Sequence, residues 1–369
     1  MDRTTEKPVV FAKFAERDVL GEQGRLLFFL LNAFATSGHR ILLFDNMPAE
    51  QLGKYGLKAT HVDGLTLTTT IPDCTDDKLY LFDREDKAAG RRRWLKRIQV
   101  RFDVFSPYWL GRPVLMPYPI HPVHTEPGLN ERLAGLRSSN RSMRVFFSGE
   151  TKGYTRNRIN YPRAKLPRLE VINALLERMG DRVLFVQDQA TLDRALSDGY
   201  AKKCVILDTN KLRIPDREWL GVLSKADFFL APPGIVMPMC HNAVEALAVG
   251  TIPVINYAEW FDPDLEHLRN CVAFDDKDDL IGKLDSVLAM DEVRILEMRK
   301  CAAAYYDAHL SSRSFMAKIE ARREPKIDVL MVTEAYVGKN AHRLNGRSVL
   351  MRGNYNPGVL GLLKAFIRP

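Results

Sequence analysis

Short apolar runs of β type alternate along this chain with stretches whose apolar residues recur at three- and four-residue spacing, the alternation expected of strands and amphipathic helices in turn. Near the start, Lys7-Pro-Val-Val-Phe-Ala-Lys-Phe predicts a strand, Arg25 to Ser37 a helix closed by Gly38, and Arg40-Ile-Leu-Leu-Phe-Asp45 a second strand. Two β-type runs, Gly64 to Thr70 and Lys78 to Phe82, follow, and Arg91 to Arg97 reads as the start of a basic helix. Asp103-Val-Phe-Ser and Val114-Leu-Met read as strands, and Pro117 to His124 as a proline-fixed loop. From Arg144-Val-Phe-Phe-Ser-Gly149 onward, strands and helices alternate. The helices are Leu169–Met179, Thr191–Ser197, Asp216–Lys225 (capped by Asp216), Asp278–Met290 and Asp291–Ala308, and the strands begin at Arg182, Lys203, Asp227, Thr251 and Cys271. Such alternation predicts parallel sheets with crossover helices.

The stretch Asp227 to Tyr257 organises the second half. Asp-Phe-Phe-Leu-Ala is β-prone, Pro232-Pro233-Gly234 stops it, Asn242 to Val249 has helical periodicity, and Gly250 ends the helix before Thr251-Ile-Pro-Val-Ile-Asn. In such a βαβ unit ligands sit beyond the carboxyl ends of the strands, here at the Pro-Pro-Gly loop. A helix beginning near His241 aims unpaired N–H groups at that loop. Asn242 and Glu245 also carry capping-box spacing, which would make Glu245 a helix-start device.

Pro-Pro-Gly, a polar cluster, and then Glu245-Ala-Leu-Ala-Val-Gly250-Thr-Ile-Pro253-Val-Ile resembles the donor segment of exostosin-like glycosyltransferases of GT-B architecture. The resemblance covers roughly the second half of the chain and is only architectural over the first. It implies an α/β, GT-B fold, with two Rossmann-like domains facing a central cleft. It also implies a glutamate, Glu245, against the ribose of a nucleotide sugar, with Pro233, Gly234, His241 and Asn242 lining the donor pocket. Retaining GT-B enzymes commonly carry a second glutamate eight positions earlier; here that position is Met237. The departure points to the inverting class, which needs a base on the acceptor hydroxyl. Glu22, Asp18 and His121 are the candidates, in that order. The first loop holds Gly21-Glu22-Gln-Gly24, and its carboxylates could equally complement a helix dipole. Past the strand ending at Gly149, Lys152, Arg156, Arg158, Arg163 and Lys165 form a cationic loop suited to a diphosphate, with a solvated basic face as the plain alternative.

The 369 residues, 46% apolar, suffice for two domains. The expected division is 1–140 as the acceptor side, 141–325 as the donor side, and 326–369 as a basic tail that either packs back on the first domain or stays mobile, with 125–141 as the linker. A net charge of +8 suits an anionic partner. A GxGxxG fingerprint is absent, which counts against a dehydrogenase. Asp262-Pro-Asp264 and Asp276-Lys-Asp278 match a metal-binding Asp-x-Asp only formally and read better as a turn and a helix cap. His121 and His124 find no further Cys or His nearby to complete a zinc site. No metal and no cofactor is therefore expected. Five scattered cysteines without a CxxC pair read as reduced core residues of a reducing compartment. No signal peptide or membrane span is visible, so the expected place is the cytoplasm. Trp94 and Leu95 among the cations of 91–97 raise contact with the inner face of a membrane as a minority reading. The expected partners are a nucleotide-diphosphate sugar and a glycan or glycolipid acceptor, with no nucleic acid, since no RNA-binding aromatic motif is present. A GT-B epimerase and a non-enzymatic anion or nucleic-acid binder are the alternatives.

Overall fold

The computed structural model describes residues 7–104, 113–125, 127–150, 166–197, 200–343 and 348. The chain forms two compact units: Met1–Pro122 with His309–Pro369, and Val123–Ala308. The sequence reading drew its boundaries at 140 and 325.

In unit 1 the first elements are β1 (Val10–Lys13), α1 (Gly21–Thr36), β2 (Ile41–Phe44), α2 (Ala49–Ala59), β3 (Leu65–Thr68), β4 (Leu79–Phe82), α3 (Lys87–Gly90), β5 (Lys96–Arg101) and β6 (Val114–Leu115). In unit 2 they are α4 (Leu129–Ser138), β7 (Met143–Gly149), α5 (Arg168–Arg178), β8 (Val183–Val186), α6 (Gln189–Leu196), β9 (Tyr200–Asp208), α7 (Trp219–Leu223), β10 (Ala226–Leu230), α8 (His241–Ala248), β11 (Ile252–Ile255), β12 (Val272–Ala273), α9 (Lys277–Ala289) and α10 (Glu292–Tyr305). Unit 1 is completed by α11 (Ser312–Glu320), β13 (Lys326–Leu330) and α12 (Glu334–Asn340).

The unit 1 sheet runs β3-β2-β1-β4-β5-β13-β6, with every pair parallel. Its strand order reverses between β1 and β4, the place where an open α/β sheet gapes at its carboxyl edge. Residues from the far end of the chain therefore join the first sheet, since β13 is zipped between β5 and β6. The unit 2 sheet runs β12-β11-β10-β7-β9-β8, also parallel, and reverses between β7 and β10. The expectation of an α/β chain with two Rossmann-like parallel sheets is borne out. The βαβ units β1-α1-β2 and β10-α8-β11 are both present.

Four local readings need correction. Arg91–Arg97 is not a helix: a turn leads into β5, and Trp94 is core, stacked on Phe11 with centroids 5.6 Å apart and on Tyr80 at 4.8 Å. The indole N–H finds Ala89 O at 2.8 Å, so the aromatic that suggested a membrane-facing helix is committed inside the protein. The expected linker 125–141 contains helix α4. Asp216 caps nothing, because α7 is shorter and begins after Glu218. Cys74 is exposed rather than core, while Cys204 and Cys271 are buried, their thiols pushed up to about 12 by burial. Helix α2 had no counterpart in the sequence reading. By contrast, Asp276 does cap α9, accepting from Asp279 N at 2.9 Å.

One contact fixes where α1 and α2 meet. Gly24 has φ +83°, and a Cβ there would lie 2.2 Å from Gly56 N and 2.5 Å from Gly56 Cα. Backbone cannot yield as a side chain tip can. Gly24→Ala is expected to lower stability by on the order of 2–3 kcal/mol, from left-handed strain plus overpacking, read as a fall in the urea midpoint at unchanged slope.

Candidate functional site

At the β1/β4 switch point of unit 1, a buried carboxylate ties two strand ends together. Asp83, just past β4, accepts from Ala15 N at 2.8 Å, Glu16 N at 2.6 Å and Arg84 N at 2.5 Å. Asn46 Nδ2, past β2, donates to Phe14 O at 2.8 Å. The loop after β1 is thus held by side chains from both neighbouring strand ends before it reaches Gly21.

Three consecutive residues there are left-handed: Glu22 (φ 52°), Gln23 (φ 61°) and Gly24 (φ 83°). Only the last is glycine. Two side-chain-bearing residues in this region carry a cost on the order of 1–3 kcal/mol each and persist only where the surroundings enforce them. Here Gly53 and Gly56 of α2 press against the Gln23 and Gly24 backbone. The conformation delivers the Glu22 carboxylate beside the start of α12, where Oε1 accepts from Glu334 N at 2.8 Å. Oε2 is buried with no hydrogen-bond partner among the described residues. Burial, opposed by the Glu334 N–H and by Arg25 and reinforced by the Glu334 carboxylate, pushes the Glu22 carboxyl up to about 7. A carboxyl with a pKa near neutrality and one oxygen uncommitted is suited to exchanging a proton.

The neighbours extend this site. The Arg25 guanidinium stands 5.4 Å from the centre of the Tyr55 ring, and Tyr55 Oη lies 2.8 Å from His121 Nε2 with the rings edge-on at 5.1 Å. Arg25, whose charge acts on the Glu22 carboxyl, thus reaches His121 by way of Tyr55. Asp18 sits in the turn Arg17–Leu20, where its carbonyl accepts from Gly21 N. Arg25, Tyr55 and Glu334 were not singled out in the sequence. Glu334 lies 312 positions from Glu22, so no local pattern could have joined them.

In unit 2 the loop after β10 closes on itself. Gly234 N donates to Pro238 O at 3.2 Å, and a Cβ on Gly234 would lie 2.5 Å from Met237 O, so that position requires glycine. Pro233 is buried and Gly234 half-buried. Met237 is wholly buried. His241 and Asn242, half-buried, open α8. The capping box is absent: Cys240 holds the N-cap position and no side chain bonds back. Glu245 is instead fully buried, its Oε2 accepting from Trp219 Nε1 at 2.6 Å and its Oε1 3.7 Å from His124 Nε2. Its carboxylate holds α8 against α7 and the Pro122–His124 turn, so a ribose contact would require one of those partners to yield. Residues Lys152, Arg156, Arg158, Arg163 and Lys165 lie outside the described residues. Among the described residues no group of three His, Cys, Asp or Glu is placed for a metal ion, and no helix is long and apolar enough to cross a membrane.

No protein-family model and no curated protein matches the sequence. Solved structures do. A glycosyltransferase from Rickettsia africae ESF-5 matches at 7% identity over 85% of this chain and 97% of its own, with a TM-score of 0.49. HepE from Anabaena, solved with UDP and glucose, matches at 12% identity over 84% and 98%, with a TM-score of 0.40. An alpha-glucosyltransferase solved with UDP and a 13-mer DNA matches at 12% over 85% and 99%, with a TM-score of 0.41. All three scores lie below 0.5, so what those proteins bind or transfer decides nothing about this site.

Proposed function

We propose that this chain is a glycosyltransferase of GT-B type, exostosin-like, which moves a sugar from a nucleotide-diphosphate donor to a glycan or glycolipid acceptor with inversion and without a metal. The observation that supports it most is Glu22, a carboxyl with one oxygen that has no hydrogen-bond partner among the described residues, pushed up to about 7 and held on strained backbone at a sheet's switch point. In the proposed reaction Glu22 takes the proton of the acceptor hydroxyl as the oxygen attacks the anomeric carbon, and the nucleoside diphosphate leaves from the opposite face. The Pro233-Gly234 loop and the first N–H groups of α8, at His241 and Asn242, would hold the diphosphate, with Lys152, Arg156, Arg158 and Arg163 as further cations. Glu245, bonded to Trp219 Nε1, would hold α8 in place behind those N–H groups. Met237 in the place of the retaining glutamate favours inversion.

A thermal-shift panel tests the donor class. Nucleoside diphosphates at 100-fold their Kd are expected to add about 2.7 kcal/mol, and the corresponding nucleosides at the same concentrations far less. Equal shifts for UDP and uridine would remove the diphosphate from the proposal. Activity abolished by EDTA and restored by Mn would overturn the metal-free part, and a product of retained anomeric configuration by NMR would overturn inversion.

A further inference from the structure

At the amino ends of β7 and β10, the edge of the unit 2 sheet opposite the Pro-Pro-Gly loop, lies a cavity of about 420 Å³. Arg137, Arg141, Arg144, Arg299, Asp227 and Glu292 line it. Nothing in the proposed transfer uses it.

The arginines are unequally paired. Arg137 is neutralised by a two-pronged pair with Asp307, both contacts at 2.8 Å. Arg144, 4% exposed, donates to Asp227 at 3.2 Å and to Glu292 at 2.5 Å. Arg299 stands 4.0 Å from Asp227, which already serves Arg144, and donates to Arg137 O at 3.0 Å. Among the described residues Arg141 has neutral acceptors only: Ala226 O at 3.1 Å, Thr251 Oγ1 at 2.9 Å and Val249 O at 2.9 Å. Among the described residues, four guanidinium groups thus share three carboxylates, and the Nε–H of Arg141, Arg144 and Arg299 find no acceptor. A network serving only to tie α4, β7 and α10 together would be expected to match its charges and satisfy its buried donors.

We propose that this cavity binds a compact oxyanion of the phosphate class, either free phosphate or the phosphate of a small ester. A tetrahedral anion offers several acceptor oxygens to guanidinium groups converging from separate elements, which a planar carboxylate offers less well. The bound charge would offset the repulsion between Arg141 and Arg299. That repulsion, after burial, is the second cause holding the Arg141 guanidinium down to about 9. The proposal stands whether or not the chain transfers sugars.

The test is calorimetric titration of the full chain with inorganic phosphate and, separately, glycerol 3-phosphate. Saturable binding of either supports the proposal, and the tighter of the two identifies the source. Arg299→Gln should weaken binding about tenfold, equivalent to 1.4 kcal/mol, while Arg299→Lys keeps most of it. Asp227→Asn, which frees two arginines from a competing carboxylate, should tighten it. Thermal unfolding of each variant checks that it folds. Absence of saturable binding by the wild-type chain at millimolar phosphate overturns the proposal, as does phosphate binding that Arg299→Gln and Asp227→Asn both leave unchanged.

Discussion

Glu22→Gln is expected to lower kcat by about 10²–10⁴ while donor affinity stays nearly unchanged, the loss typical of removing a general base from a transition state. Glutamine keeps the shape and can still accept from Glu334 N, so the substitution deletes only the proton acceptor. The wild-type pH profile supplies the signature. A base must be ionised to act, and the Glu22 carboxyl is pushed up to about 7, chiefly by burial. Log kcat/KM should therefore rise with pH and level off above about 7, where an unperturbed glutamate would have levelled off near 4.5. A flat profile from pH 5 to 8 in the wild type, or full activity in the glutamine variant, would remove Glu22 from the chemistry.

The same residue makes an opposite prediction for stability. Its folded pKa lies above the unfolded value, so between about 4.5 and about 7 the folded chain holds a proton that the unfolded chain has released. The contribution is fully present below the unfolded value and is lost as pH rises through about 7. At pH 8 the ionised, buried Glu22 costs at most about 3 kcal/mol, from a shift of about 2.5 at 1.36 kcal/mol per unit. Glu22→Gln should then raise the melting temperature at pH 8 and leave it nearly unchanged at pH 4. A residue kept for structure would show the reverse, and a gain in stability paired with a loss of turnover is the mark of a group held for reactivity.

How much of this could be read from the chain varied with the distance over which each contact acts. Periodicity located most strands of both sheets, because parallel strands buried on both faces read as apolar runs, but it missed β5, whose Lys96-Arg-Ile-Gln-Val-Arg101 is mostly polar, and it placed a strand at Asp103, which lies past the end of β5. β13 falls in the stretch read as a basic tail, and its place between β5 and β6 was not legible, since pairing partners more than 200 positions apart leave no local trace. Trp94 misled for a physical reason. A lone aromatic among arginines fits an amphipathic helix and a strand-edge core residue equally, and the Phe11–Tyr80 stack decided between them. Glu22 was found through the glycines on either side of it. Its left-handed conformation could not be, because Glu and Gln seldom adopt one. The Asn242–Glu245 spacing was a true signal with the wrong meaning: the helix starts at His241 and carries Glu245 beyond capping range into the interior.

Glu245→Ala is expected to destabilise the protein by on the order of 3 kcal/mol, measured by urea unfolding at neutral pH. The carboxylate has no exposed area, so nothing in water substitutes for it. Its removal leaves the Trp219 indole N–H without the acceptor now 2.6 Å away, leaves His124 without the carboxylate 3.7 Å from its Nε2, and opens a void at the α7–α8 contact. Glu245→Gln should cost much less, since its amide oxygen can still accept from Trp219. Nucleotide binding separates this role from the ribose contact implied by the exostosin-like resemblance. With a purely internal role, Glu245→Gln binds nucleoside diphosphates as the wild type does, and Glu245→Ala loses affinity only as far as it loses fold. If Glu245→Ala unfolds at the wild-type urea midpoint yet no longer distinguishes ribo- from 2′-deoxyribonucleotides, the carboxylate reaches the donor, and the buried arrangement opens when the nucleotide binds.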